Sequence, residues 1–153
     1  MLEVKALLFD VFGTVVDWRT GIAIEVQMIA KKYNIELNAD DFADAWRAEY
    51  QPAMEQIRSG KRSFTILDIL HSENLKKIAP RFNLNNLSNE DLNFLVTAWH
   101  RLPGWPDSSQ GLNKLKKKFI LATQSNGNIA LMVNMAKYSN LSWDVILLSL
   151  IHI

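Results

Sequence analysis

The sequence predicts an α/β fold, a doubly wound parallel sheet with an all-helical insertion after its first strand. Three observations carry that prediction. Short continuous apolar runs end in polar tips at two places: Val4–Phe9 before Asp10, and Phe119–Thr123 before Gln124-Ser125-Asn126-Gly127. Runs of this length suit strands buried on both faces, as in a parallel sheet that helices cover on each side. From about Trp18 to Ala98 the apolar residues recur only at helical spacing, and a strand-and-helix rhythm returns after Pro103-Gly104-Trp105-Pro106.

Each element has its own signal. Ile22, Val26, Ile29 and Tyr33 mark an amphipathic helix, which Asn34 and Asn38-Ala39-Asp40 break. Phe42, Ala45, Trp46, Ala53, Met54 and Ile57 mark a second helical stretch, with a kink or junction at Pro52 and an end at Ser59-Gly60. Phe64 to Leu75 reads as a helix with Leu67, Leu70 and His71 on one side. Ser88-Asn89-Glu90-Asp91 has the form of a capping box opening a helix that carries Leu92, Leu95, Val96 and Trp99. Gly111 to Lys118 is a short helix. Asn128 is placed to cap a helix with Ile129, Met132, Val133 and Ala136 on one face, and Trp143 to Leu150 reads as a third strand. The expected division is a core of residues 1–17 and 99–153 around a helical cap of residues 18–98.

Composition narrows the function classes. Hydrophobic content of 48%, charged content of 22% and a net charge of +1 over 153 residues describe one soluble globular protein. Such a balance gives no electrostatic case for nucleic acid or an acidic membrane. Lys116-Lys117-Lys118 reads as a solvated helix end. The absence of cysteine excludes disulfides and thiolate metal sites and suits a reducing compartment. The N-terminus has neither a signal peptide nor a membrane span, so a cytoplasmic protein is expected. His71, His100 and His152 show no metal-ligand spacing, and the five tryptophans read as packing.

In an open parallel sheet, ligands bind beyond the carboxyl ends of the strands. Two such ends are polar here, and they should be neighbours facing the cap. Asp10 at a strand end can act as nucleophile, metal ligand or turn cap. Gly13 and Thr14 after it favour a chemical role, because close backbone approach and a hydroxyl suit an anion. Ser125-Asn126-Gly127 is either a plain turn or a hydroxyl and amide set beside Asp10. Arg47 is either a solvated helix residue or a guanidinium for a substrate carboxylate or halide.

These residues resemble the haloacid dehalogenase superfamily, through Phe9-Asp10-Val11-Phe12-Gly13-Thr14 together with Ser125-Asn126-Gly127. More narrowly the chain is similar to the type II (S)-2-haloacid dehalogenases. That likeness rests on Trp46-Arg47, Tyr50-Gln51-Pro52-Ala53-Met54, Leu67-Asp68-Ile69-Leu70-His71, Trp99-His100-Arg101-Leu102 and Asn134-Met135-Ala136-Lys137. It covers Lys5 to about Leu147 and implies a Rossmann-like core with an inserted cap. It also implies a hydrolase that needs no metal or other cofactor and acts on small halogenated carboxylic acids. By resemblance, Asp10 displaces halide with inversion and forms an ester, which water opens to release an (R)-2-hydroxy acid. Thr14 would hold the Asp10 carboxylate or a neighbouring group, and Val11 and Phe12 would border the substrate. Arg47 with Asn126 would take the halide, and Ser125 the substrate carboxylate. Superfamily phosphatases carry an acid two residues after the nucleophile. Phe12 stands there instead, which would remove a general acid typically worth about a hundredfold in rate.

The likeness fails at the end of the chain. The family's later lysine and acidic motifs are not among the 153 residues, and the residues from about Leu148 to Ile153 depart from its pattern. The expectation is a truncated chain with an incomplete sheet. Its open apolar edge would favour aggregation or a homodimer, and hydrolysis of the ester would stall. A superfamily phosphatase and a non-catalytic fragment are the competing readings.

Overall fold

Three parallel strands, β1 (Ala6–Phe9), β2 (Ile120–Ser125) and β3 (Val145–Leu148), pair in the order β1-β2-β3 in a computed structural model that describes residues 3–148. The register sets Ala6 opposite Ile120 and Phe9 opposite Thr123, then Ala122 opposite Val145 and Ser125 opposite Leu148. Parallel neighbours need crossover connections. The one between β1 and β2 contains α1 (Trp18–Tyr33), α2 (Ala39–Ala48), α3 (Tyr50–Arg58), α4 (Leu67–Ile78), α5 (Asn89–Val96) and α6 (Ser108–Leu115). The second contains α7 (Ile129–Tyr138). Short 3₁₀ turns follow α4, at Ala79–Phe82, and α5, at Thr97–Arg101. The fold is α/β and Rossmann-like. No helix among the described residues is long and apolar enough to cross a membrane.

The chain divides into two compact units, Met1–Trp18 with His100–Ile153, and Arg19–Trp99. The first carries the sheet, α6 and α7, and buries Val11, Val16, Leu102, Leu121, Leu131 and Met135. Asp144 extends the pairing just before β3. Its N–H donates to Leu121 O (2.8 Å) and its Oδ2 accepts from Leu121 N–H (2.9 Å). Lys116 is more than a solvated helix end: its ammonium pairs with Asp144 (2.7 Å) and bonds the Ser142 and Trp143 carbonyls.

The second unit is all-helical among its described residues. An aromatic cluster forms its core. His71 stacks on Trp99 at 4.5 Å, Trp99 meets Trp46 edge-on at 5.4 Å, and Phe42 bridges Trp46 and Phe82. Trp46 Nε1–H donates to His71 O (3.1 Å), so the ring is buried with its polar atom satisfied. Asn34 and Asn83 adopt left-handed backbone in this unit, and Asn140 does so after α7 in the other; all three end helical segments.

Several expectations are corrected. The strands are not buried on both faces. Leu8 (54% exposed), Ile120 (53%), Val145 (42%) and Leu147 (44%) alternate onto one bare apolar face. The third helical region starts at Leu67, because Ile66 is extended, rather than at Phe64. α6 spans Ser108–Leu115, not residues 111–118. α7 buries Leu131, Met132 and Met135 and leaves Ile129 exposed, and Asn128 precedes it without a side-chain cap bond. The third strand begins at Val145, two residues after Trp143. Its expected continuation through residues 149 and 150 lies outside the described residues, as does the rest of the divergent stretch, with His152.

The capping box at Ser88 is half made. Ser88 Oγ accepts from Asp91 N–H (3.1 Å), but Ser88 N–H donates to Tyr33 OH (3.1 Å) rather than to the Asp91 carboxylate. That carboxylate instead accepts from Lys32 Nζ (2.7 Å), Tyr33 OH (2.6 Å) and Ser88 Oγ–H (2.7 Å). Those donors, Lys32 foremost, hold the buried Asp91 carboxyl down at about 2. A depressed carboxyl stabilises the fold above its unfolded pKa, near 4, and loses that contribution as pH falls through its folded value. Urea midpoints should therefore fall between pH 4 and pH 2, and Asp91→Asn should flatten that slope while lowering stability at pH 7. An unchanged slope in the variant would contradict the assignment.

Candidate active site

Asp10 is the first residue beyond β1, exposed at the carboxyl end of the sheet. The chain then has to reverse within a few residues. Gly13 adopts φ +91°, a conformation that a side chain would strain. The turn closes on itself: Gly13 N–H donates to Val16 O (3.0 Å), and Val15 N–H and Val16 N–H donate to Val11 O (2.9 and 3.2 Å). Val11, Val15 and Val16 are buried beneath it and anchor the loop. Thr14 is thereby returned to Asp10, and its Oγ1–H donates to Asp10 Oδ2 at 2.8 Å. One carboxylate oxygen is fixed by that bond.

The second polar tip stands on the neighbouring strand. Because Phe9 pairs with Thr123, Asp10 and the Ser125-Asn126 tip leave adjacent strands at the same end of the sheet. Ser125 is buried, and its Oγ accepts weakly from Gly127 N–H (3.4 Å), a local turn bond. α7 begins at Ile129 directly after the tip, so the N–H groups of its first turn carry partial positive charge there. Thr123 Oγ1 lies inside the sheet, donating to Leu147 O (3.1 Å) and accepting from Leu147 N–H (3.2 Å).

The predicted residues thus fall into two groups. Asp10, Val11, Phe12, Thr14, Ser125 and Asn126 gather at one end of the sheet-bearing unit, with Val11 buried and Phe12 half-buried. Arg47 belongs to the helical unit, on α2 beside the buried Trp46. Its guanidinium lies 4.3 Å from the centre of the Tyr50 ring, a cation–π geometry. Among the described residues, no group of three or more histidine and carboxylate side chains has metal-binding geometry. Two features escape a reading of periodicity. Trp105, read as packing, donates its indole N–H to Gly13 O (3.1 Å), and Gly127 is packed to contact.

A Cβ on Gly127 would stand 2.8 Å from Met132 Sδ, 3.1 Å from its Cγ and 3.2 Å from Leu131 Cδ2, so these side chains would have to shift. Gly127→Ala should cost about 1–3 kcal/mol, the usual penalty for overpacking, and should disturb the Ser125-Asn126 tip. Thermal melts and amide shifts of residues 125–132 test this; an unaltered melting temperature would contradict it.

No family model and no curated protein matches the sequence. Solved structures do. The chain is 49% identical to the defluorinating L-2-haloacid dehalogenase Rha0230, with a TM-score of 0.92 over 97% of this chain and 61% of that one. It is 39% identical to the L-2-haloacid dehalogenase PA0810, with a TM-score of 0.87 over 96% of this chain and 63% of that one. At 19% identity, the L-2-haloacid dehalogenase from Xanthobacter autotrophicus with chloropropionic acid covalently bound shares the fold, with a TM-score of 0.79 over 95% of this chain and 57% of that one. The chain therefore spans about three fifths of the length of these relatives. The fold and these identities agree: the chain belongs to the haloacid dehalogenase superfamily, and the solved structures at 49% and 39% identity are L-2-haloacid dehalogenases.

Proposed function

We propose that this chain carries the ester-forming half of a hydrolytic dehalogenase for (S)-2-haloacids, with Asp10 as nucleophile. The observation that supports it is Asp10 held at a strand end by Thr14, with the aromatic Phe12 two residues on where a phosphatase would need an acid. Halide is a weak base and leaves without a proton, so that position needs no general acid. An Asp10 carboxylate oxygen bonds to the carbon bearing the halogen while the carbon–halogen pair departs as halide, with inversion. Water then adds to the ester carbonyl of Asp10, releasing the (R)-2-hydroxy acid, the carboxylate and a proton. Val11 and Phe12 border the substrate, Ser125 with the adjacent N–H groups takes its carboxylate, and Asn126 takes the halide. The water step in this family draws on lysine and acidic motifs that are not among the 153 residues, so ester formation without turnover is the reading for this chain. A cytoplasmic setting accords with the cysteine-free composition.

The test is labelling of the chain by bromoacetate, followed by intact mass and peptide mapping. The chain has no thiol to compete. A single added carboxymethyl group on Asp10, lost in Asp10→Asn, is expected. Equal labelling of the variant would overturn the nucleophile, and sustained halide release from chloroacetate would overturn the stalled ester. Magnesium-dependent hydrolysis of small phosphate esters would favour the phosphatase instead.

We also infer that two copies associate through the bare sheet face, since Leu8, Ile120, Val145 and Leu147 present apolar surface on one side of the sheet, beside a β3 edge that no other strand among the described residues pairs. Sedimentation should show a dimer that Leu8→Lys with Ile120→Lys converts to monomer. A monodisperse monomer of the unsubstituted chain would overturn this.

A further inference from the structure

We propose that Trp105 is a positioning residue for the Asp10 carboxylate, acting through the Gly13–Thr14 peptide. This inference rests on the reading of Asp10 as nucleophile.

The internal bonds of the turn use the carbonyls of Val11 and Val16 and leave those of Gly13 and Val15 to be met from outside. One segment meets both. Trp105 Nε1–H donates to Gly13 O (3.1 Å), Trp105 N–H donates to Val15 O (3.1 Å), and Ser108 Oγ–H donates to Val15 O (2.7 Å). Gly13 O and Thr14 N–H belong to one rigid peptide plane. The indole bond therefore fixes the orientation of the plane from which the Thr14 side chain springs. Thr14 Oγ1 in turn grips Asp10 Oδ2 at 2.8 Å. Gly13 tolerates a wide range of backbone angles, so without an external bond this plane is the freest in the loop.

Burial does not account for the indole. Trp105 is 39% exposed, whereas Trp46 and Trp99 are fully enclosed. What the side chain supplies at the loop is a directed donor. Its own segment is anchored in turn. Ser139 Oγ–H, after α7, donates to Leu102 O (2.6 Å), and the same oxygen accepts from Gly104 N–H (3.0 Å). The helix that starts at the Ser125-Asn126 tip thus fastens, at its far end, the strap that holds the Asp10 loop.

Trp105→Phe keeps the ring and removes the donor. The rate of Asp10 labelling at saturating bromoacetate is expected to fall about five- to tenfold, the effect of losing one neutral hydrogen bond that orients a reacting group, while the half-saturating concentration stays within about twofold. Amide exchange at Val15 and Val16, whose N–H groups close the turn on Val11 O, should accelerate while that of Leu121 and Ala122 is unchanged. A fall in labelling that follows global unfolding, or a shift confined to half-saturation, would overturn the assignment. Should the unsubstituted chain take no label on Asp10, the nucleophile reading fails. Exchange still decides the inference in that case: unaltered protection of Val15 and Val16 in Trp105→Phe overturns it, and selective loss sustains the hold on the loop.

Discussion

The parallel pairing of β1 with β2 is the constraint on which the candidate chemistry depends. Strands of one direction end together, and the register that sets Phe9 against Thr123 brings Asp10 and the Ser125-Asn126 tip out at one end. A shift of a single residue would turn the side chains of β1 to the other face and withdraw its carboxyl end from the tip beside it. β2 is the central strand and bears the burden of order. Leu121, Ala122 and Thr123 are buried, and the Thr123 hydroxyl both donates to and accepts from Leu147 of β3. A polar group inside the sheet is satisfied there by the strand it organises.

Much of this was legible in the sequence, for identifiable reasons. Asp10 is visible because an apolar run stops abruptly at a carboxylate with a glycine close behind. The helices of the second unit are visible because period 3.6 survives without knowledge of the partner face. The bare sheet face was not legible. Leu8, Ile120 and Leu147 are apolar whether or not anything covers them, so an apolar run cannot report its own burial. Trp105 was misread for a related reason: an indole in a Pro-Gly loop carries no periodic signal, and its partner Gly13 lies 92 residues away. The capping box at Ser88 is half made because Tyr33 OH from α1 takes the Ser88 N–H, while Lys32 and Tyr33 join Ser88 Oγ on the Asp91 carboxylate.

The helical unit holds one buried indole donor, that of Trp46, satisfied inside an aromatic core. Trp46 is enclosed by Phe42, His71 and Trp99, and its indole N–H is spent on His71 O. Those contacts fix the rotation of α2 about its axis. Arg47, one residue on, therefore leaves the helix in a set direction and rests over Tyr50 at the start of α3. The lysine and tyrosine on Asp91 do the same for the junction of α1 with α5, across nearly 60 residues of sequence. Packing sets the faces, and a few buried bonds set their registers.

The seam where the helical unit enters and leaves the sheet-bearing unit has a consequence for how such a chain can be assembled. Val16 and Gly104 form an antiparallel bridge, and Asp17 N–H donates to Pro103 O at 2.8 Å, so the two flanks of the insertion are stitched to each other within their own unit. The stitch does not use the 81 residues of Arg19–Trp99, which form a continuous stretch. A gene could therefore exchange that stretch for another, or close the gap with a short hairpin, by a single pair of cuts that leaves the Asp10 turn tied. The seam closes the sheet-bearing unit on itself without drawing on the residues inserted between its flanks.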